Sequence, residues 1–262
     1  IELAPLEATE EKLADPLFRF FYRERNGFAT LLTRVRSHLN DLVKANEKET
    51  NPTAQQAELI GNIASDVTPS EYAGAYPAVA MALGEWMKDL CARISALNST
   101  ISEGSLKPSK GVWVGGFQSA QAWVTATRQA VAQLKKVSLG DLSLVLDIGE
   151  PAGAGKPGFG VWGLTIEGGR FESDTRSLKP ALEISSELPP SRVRWLTTSD
   201  KAAFVESSDL VLEVPVYLNA NRTTLAFTAF VATKKDVPAE TWFQRGLAVI
   251  LWDRNASNMS ET

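Results

Sequence analysis

Histidine and cysteine each occur once in this chain, as His38 and Cys91. A single cysteine cannot close an internal disulfide, so a disulfide framework is excluded and a reducing compartment is expected. A single histidine removes most zinc sites and any chemistry that needs two imidazoles, and no metal is expected. An excess of positive charge is missing as well. The 27 Lys and Arg against 31 Asp and Glu leave a net charge of −4, which argues against a broad nucleic-acid surface. Long apolar runs are absent too. The longest uncharged stretch, Gly111 to Thr127, is broken by Gln118, Ser119, Gln121 and Thr125, a poor membrane span, so no membrane partner is expected. Residues Ile1 to Lys12 carry four Glu and lack the basic start and apolar centre of a signal peptide. Ile rather than Met at the first position points to a fragment or a processed chain. The four sequons, at Asn98, Asn221, Asn255 and Asn258, read as chance matches, because nothing points to secretory entry.

What is present is ordinary for a soluble globular protein: 262 residues, 44% apolar and 22% charged. Such a chain would expose roughly 11,000 Å² folded against about 41,000 Å² unfolded, enough to form a real core without staples. The first 135 residues have helical periodicity. Leu31, Leu32, Val35, Leu39 and Leu42 share one face, and Asp15-Pro16 is a start signal, which predicts a helix over about 16–47, loosened at Gly27. A second helix is expected around 53–65. A third, from near Pro77, carries Leu83, Trp86, Met87, Leu90, Cys91, Ile94, Leu97 and Ile101. The Gly-rich segment Ser109 to Phe117 is no helix, whereas Ser119 to Leu134 is helical again.

From Leu139 the period drops to two. Strands are expected at 142–148, 160–166, 191–197, 211–218, 224–232 and 246–252, separated by turn formers. Six short strands without long intervening helices predict an antiparallel sheet closed into a barrel or sandwich. Pro215 is expected at an edge or a bulge, since it cannot donate to a ladder.

Candidate chemistry is thin. Gly153 to Gly158 and Gly158 to Gly163 each fit G-x-G-x-x-G. A dinucleotide fingerprint needs a helix after the glycines, but here a strand follows and Pro157 interrupts the pattern. A P-loop fails because Pro157 follows Gly155-Lys156 and Glu150 stands at the first Gly position. The reading is a hairpin connection. His38 reads as a partly exposed helix histidine rather than a general base, with Arg34 one turn back. Cys91 reads as a core thiol. The Lys135-Lys136 and Lys234-Lys235 doublets form no basic stripe. The seven Trp, at 86, 113, 123, 162, 195, 242 and 252, are expected mostly in the core, with one or two available to anchor a partner. No catalytic, cofactor-binding or metal-ligating residue is assigned.

The order of several motifs nevertheless resembles one family, the C-terminal domain of the cytoplasmic dynein heavy chain. Leu83 to Leu97 resembles its W-x-x-D-L-x-x-R-I helix, with Trp86, Asp89 and Leu90 on the motif. Lys110 to Gln129 resembles a W-x-x-G-F segment followed by a T-A-x-R-Q helix, matched by Trp113, Gly116, Phe117, Arg128 and Gln129. Val161 to Leu164 resembles V-x-G-L, through Gly163 and Leu164, and Arg194-Trp195 an R-W pair. Pro215 to Asn219, with Tyr217, resembles P-V-Y-L-N. Trp242 to Val249, with Arg245 and Gly246, resembles W-[YF]-x-R-G-V-A-V. The resemblance spans about residues 16–252.

The resemblance implies an α+β fold: a linker or tail of the last AAA+ module at 1–15, a helical subdomain at 16–135, a six-stranded antiparallel β-barrel at 139–252 and a disordered tail at 253–262. It implies a non-catalytic role without cofactor, packed on the AAA+ ring of the same heavy chain and regulating force and processivity of minus-end-directed movement. ATP hydrolysis and microtubule binding would lie outside this segment, and the location would be cytoplasmic and cytoskeletal. A different reading is an adaptor-binding module whose barrel recruits a partner protein.

Overall fold

The computed structural model describes residues 1–47, 51–75, 81–104, 106, 108, 110–151, 157–181 and 185–251. A short helix, α1 (Glu10–Ala14), capped by the Thr9 side chain, hands over at Asp15 to the long α2 (Pro16–Glu47). The Asp15 carboxylate accepts the Leu17 N–H at 2.7 Å, and Pro16 loses nothing at the first helical position, where its N–H would be unpaired anyway. Leu17, Phe20, Phe21, Phe28, Leu31, Leu32 and Val35 are buried. The expected stripe continues, but Leu39 and Val43 are exposed, so the last turns of α2 run beyond the core. The helix is not loosened at Gly27. That residue instead admits a neighbour: a Cβ there would stand 2.0 Å from Oε1 of Gln118.

The second helix, α3 (Ala54–Ala64), opens with a Thr53/Gln56 capping box, and α4 (Ser70–Ala73) is a single turn. The next long helix, α5 (Leu83–Ser102), buries Trp86, Leu90, Ile94, Leu97 and Ile101. Cys91 lies one residue round from that stripe and is exposed, so the expectation of a core thiol is corrected. Then β1 (Val112–Trp113) and a 3-10 turn at Val114–Gly116 lead into α6 (Ala120–Lys135).

The second half holds β2 (Ser143–Asp147), β3 (Phe159–Trp162), β4 (Thr165–Glu167), β5 (Gly169–Glu172), β6 (Ser177–Pro180), β7 (Ser186–Glu187), β8 (Ser191–Leu196), α7 (Thr198–Glu206), β9 (Leu210–Tyr217), β10 (Leu225–Thr233), α8 (Ala239–Gln244) and β11 (Ala248–Ile250). Nine of these strands, β1 included, form one sheet in the order β1-β3-β8-β2-β10-β9-β11-β4-β7, and β5 pairs with β6 alone. The pairings β1–β3, β2–β10 and β9–β11 are parallel; the others in the sheet are antiparallel.

The expected six-stranded antiparallel barrel is therefore wrong in three respects: strand number, direction and closure. The predicted strand 160–166 breaks at Gly163-Leu164. Its first half pairs with β8 and its second with β11, near opposite ends of the strand order. The edge strand β1 comes from the helical half. The end strands β1 and β7 do not pair, so the sheet stays open.

Side chains fill the space between the sheet and the elements packed on it. Val114, Trp123, Leu146, Val161, Val193, Val216 and Val249 are among those lining a residual void of about 10 Å³, room for at most one water. Pro215 is neither on an edge nor at a bulge. It lies within β9 opposite Thr228, one step from an irregularity between Leu225 and Phe227. The β11 register begins only at Val216, so on that side the missing N–H faces no partner strand.

Candidate functional site

The segment 111–118 threads between the helices and the sheet, and four separate elements converge on it. From α5, Asp89 and Arg93 lie one turn apart on the same face, the spacing at which helical side chains meet. Both are buried, and Arg93 Nε donates to Asp89 Oδ2 at 2.6 Å. Arg93 Nη1 donates to the carbonyl of Gly115 at 2.7 Å. The guanidinium also lies 5.3 Å from the centre of the Trp113 ring, within cation–π range. Trp113 in turn stacks on Trp162 at 5.7 Å, and Val112 and Trp113 pair with Val161 and Trp162. A helix charge, a turn carbonyl and an edge strand are thus locked together.

The glycines here make room for close approach. A Cβ on Gly115 would fall 1.9 Å from the Leu251 carbonyl, and one on Gly116 2.5 Å from the Trp113 ring. Gly163 takes φ +71 with its Cα against the same ring; this is why the strand breaks there. From α2, Phe20 and Phe21 meet Phe117 edge to face at 4.9 and 5.8 Å. The Glu24 carboxylate accepts the backbone N–H of Gln118, close to the start of α6. Burial pushes its carboxyl up to about 7, against the opposing pull of the Gln118 N–H, the Arg93 charge and the Ser119 N–H.

The other motif residues are dispersed. Trp86 is buried and stacks on Tyr72 at 5.5 Å, and Leu90 is in the core. Arg128 donates to the Leu142 carbonyl and covers Trp195, whose Nε1 donates to Thr127 Oγ1 at 3.0 Å. Gln129 is half-buried on α6. Leu164 is buried and its carbonyl accepts the Leu188 N–H. Pro215 lies inside β9, and the Tyr217 carbonyl accepts the Leu251 N–H. Trp242 is fully buried on α8, Arg245 is exposed and donates to the Ala181 carbonyl, and the Gly246 carbonyl takes Arg222. Of the motif residues, Asp89, Trp113, Gly116, Phe117 and Gly163 take part in the contacts at 111–118; Trp86 and Leu90 share α5 with Asp89, Leu164 follows Gly163 between β3 and β4, and Arg128 and Gln129 lie further along α6. Glu24 was not singled out from the sequence, and Arg93 stood there only as the R of the W-x-x-D-L-x-x-R-I motif. The signal for Arg93 was its i+4 spacing from Asp89; for Glu24 there was none beyond its place between Phe20, Phe21 and Phe28.

His38 is partly exposed, as expected, with Nδ1 3.0 Å from the Tyr72 hydroxyl and Nε2 3.7 Å from Glu71. It borders an open polar cleft of about 190 Å³ with Asp41, Gln56, Glu58 and Asn62. Residues 152–156 of the Gly-rich matches, Trp252 and the tail 253–262 lie outside the described residues. Among the described residues no group of three or more His, Cys, Asp or Glu is placed to hold a metal ion, and no helix is long and apolar enough to cross a membrane.

Comparison with known proteins follows the same span. The family model for the C-terminal domain of the dynein heavy chain matches residues 2–251. The sequence is 33% identical over 252 residues to a cytoplasmic dynein heavy chain of Paramecium tetraurelia, covering 96% of this chain and 5% of that protein. It is 30% identical over 251 residues to a cytoplasmic dynein heavy chain of Dictyostelium discoideum, covering 95% and 5%. A ciliary dynein beta chain of Heliocidaris crassispina is 26% identical over 240 residues, 88% of this chain and 5% of that protein. The match thus corresponds to a small fraction of the length of each relative.

Two outcomes are expected from this geometry. Asp89→Ala leaves the Arg93 charge buried without its carboxylate and lowers stability by about 3–5 kcal/mol in urea denaturation; a loss below about 1 kcal/mol would mean that water or another group takes over. Glu24 binds its proton more tightly folded than unfolded. Its contribution is therefore fully present below about pH 4.5 and lost as pH rises through about 7. Glu24→Gln should match the wild type near pH 4 and exceed its stability by up to about 3 kcal/mol above pH 8. Equal stabilities at both pH values would show that the carboxyl is not desolvated.

Proposed function

Because the protein belongs to the family of dynein heavy-chain domains that lie at the C-terminal end, we propose that it is a non-catalytic regulatory body of a cytoplasmic, cytoskeleton-associated motor. It packs on the AAA+ ring of the same heavy chain and tunes force and processivity of minus-end-directed movement along microtubules. In this reading residues 1–15 lead in from the last AAA+ module, 16–135 form the helical subdomain and 139–252 the sheet subdomain. Nucleotide and microtubule contacts belong to other parts of the motor.

One observation carries the reading: the Arg93 clamp at Gly115 joins the helices to the sheet. A load applied to either half is passed to the other instead of being absorbed at a hinge. A rigid body packed against several ring modules favours some ring conformations over others. A difference of about 1–3 kcal/mol shifts populations about 5–150-fold without any chemistry.

The alternative, recruitment of an adaptor protein, is favoured by the exposed ring of Phe243, 65% accessible on α8. A bulky aromatic in that position is a typical interface anchor.

Removing residues 139–252 alone would strip β1 of its neighbour, so the whole domain is the unit to delete. Deletion from the intact heavy chain is expected to change run length or stall force while microtubule-stimulated ATP hydrolysis persists. If all three are unchanged, the regulatory reading fails. Loss of partner binding in Phe243→Ala with motility intact would favour recruitment.

A further inference from the structure

Residues 1–6 do not trail free. Their main chain is gripped at four points by side chains of α2 and α5. The Asn98 amide does two of these jobs: its Oδ1 accepts the Ala4 N–H at 2.7 Å, and its Nδ2 donates to the Glu2 carbonyl at 2.7 Å. These two main-chain groups flank Leu3, and one side-chain amide satisfies both, as the edge of a neighbouring strand would. On α2, Arg25 Nε donates to the Ala4 carbonyl at 3.2 Å, and Arg36 Nη2 donates to the Ile1 carbonyl at 2.6 Å.

The geometry has a direction. Arg25 and Arg36 are three turns apart, about 16 Å along the helix axis, while Ile1 and Ala4 are about 10 Å apart if extended. Two long side chains reaching inward close that difference, so the segment runs antiparallel to α2. Leu3 and Leu6 pack on the core, while Ile1, Glu2 and Pro5 face solvent. Pro5 disfavours the helical conformation at Ala4 and so holds the segment extended before it docks. At its far end the segment is tied again, through α1 and the Asp15 cap of α2.

We propose that the furrow between α2 and α5 is a binding site for an extended peptide, occupied by residues 1–6 of the same chain, and that this occupancy fixes the direction in which the polypeptide enters the domain. Recognition is through the main chain: each of the four hydrogen bonds goes to a backbone atom. From its side chains the segment adds Leu3, Ala4 and Leu6, which pack against the core. Those of Glu2 and Pro5 take no part in the grip. The furrow thus grips main chain rather than any one side chain, and the tether supplies the segment at high effective concentration. Opening the latch exposes Leu3, Leu6 and the three polar grips without disturbing the buried faces of α2 and α5. The inference concerns how the domain is held and does not depend on its role in the motor.

The test uses the whole chain. Amide hydrogen exchange at Ala4 is compared in the wild type and Asn98→Ala, and Ala4→Pro, which has no amide there, enters the distance measurement. Asn98 is only partly buried on a helix, where Ala is well tolerated, and Ala4→Pro removes the donor without touching the furrow. The wild-type Ala4 amide is expected to exchange at least about tenfold more slowly than in a free peptide, the order expected for one satisfied hydrogen bond. Asn98→Ala abolishes that protection, while the Leu90 and Ile94 amides keep theirs. Spin labels on the native Cys91 and on Glu2→Cys should give a narrow distance distribution, which broadens on adding either Asn98→Ala or Ala4→Pro. Unprotected Ala4 with a broad distribution in the wild type overturns the proposal, as does protection that survives in Asn98→Ala. A protected Ala4 whose protection falls on dilution, together with a dimeric mass, would show that a second copy fills the furrow and would overturn the assignment of its occupant.

Discussion

A guanidinium taken out of water has to find partners inside the protein, and in this molecule that requirement organises the rest. Arg93 leaves the solvent at the centre of α5 and finds the Asp89 carboxylate on its own helix, the Gly115 carbonyl in the turn and the face of Trp113 beyond it. An unpaired charge there would cost several kcal/mol, so each partner is held to a narrow position. Gly115 has Leu251 against its backbone and tolerates no side chain. Trp113 must lie flat, which places it on Trp162 and carries β1 into register with β3.

From that constraint follows, among the described residues, a rigid contact between helices and sheet. The helices contribute a strand to the sheet, and the last described residue of the chain, Leu251, returns to touch the turn that links α5 to α6. Phe117 and Gln118 extend the same contact surface to α2 through Phe20, Phe21 and Glu24. Membership of the dynein family gives this rigidity a purpose within the proposed reading. A domain that acts by packing has to transmit displacement rather than absorb it.

The elements written in local chemistry were legible. The bounds of α2 and α3 match the expectation to within a residue or two, because Asp15-Pro16 is a start signal that holds without tertiary help; the Thr53/Gln56 capping box that fixes the start of α3 was not read from the sequence. Strands β2, β8, β9 and β10 were readable from alternation. The topology was not. Parallel pairing of β2 with β10 joins residues far apart in sequence, and no local pattern encodes it. The segment from Gly168 to Glu187 is too polar to alternate, so β5, β6 and β7 were invisible. The strand at 160–166 was read through a glycine whose positive φ turns the backbone. Of the junction, Trp113, Gly116, Phe117, Asp89 and Gly163 were legible only as motif residues; their convergence was not. A buried Glu24 looks in sequence like any charge on an amphipathic helix, and Arg93 was legible only as a motif residue. Cys91 erred in the opposite direction, since one residue of helical rotation separates it from the core.

The claim that one clamp makes helices and sheet a single unit is most directly tested by native-state hydrogen exchange on Arg93→Met in the whole chain. The buried guanidinium is then replaced by a side chain of similar length that cannot hold Gly115. If the clamp couples the halves, the opening free energies of Leu31 and Leu32 in α2 and of Val145 and Val193 in the sheet fall together and by the same amount. If the α5 amides loosen while Val145 and Val193 keep their full protection, the halves are independent and the account is wrong.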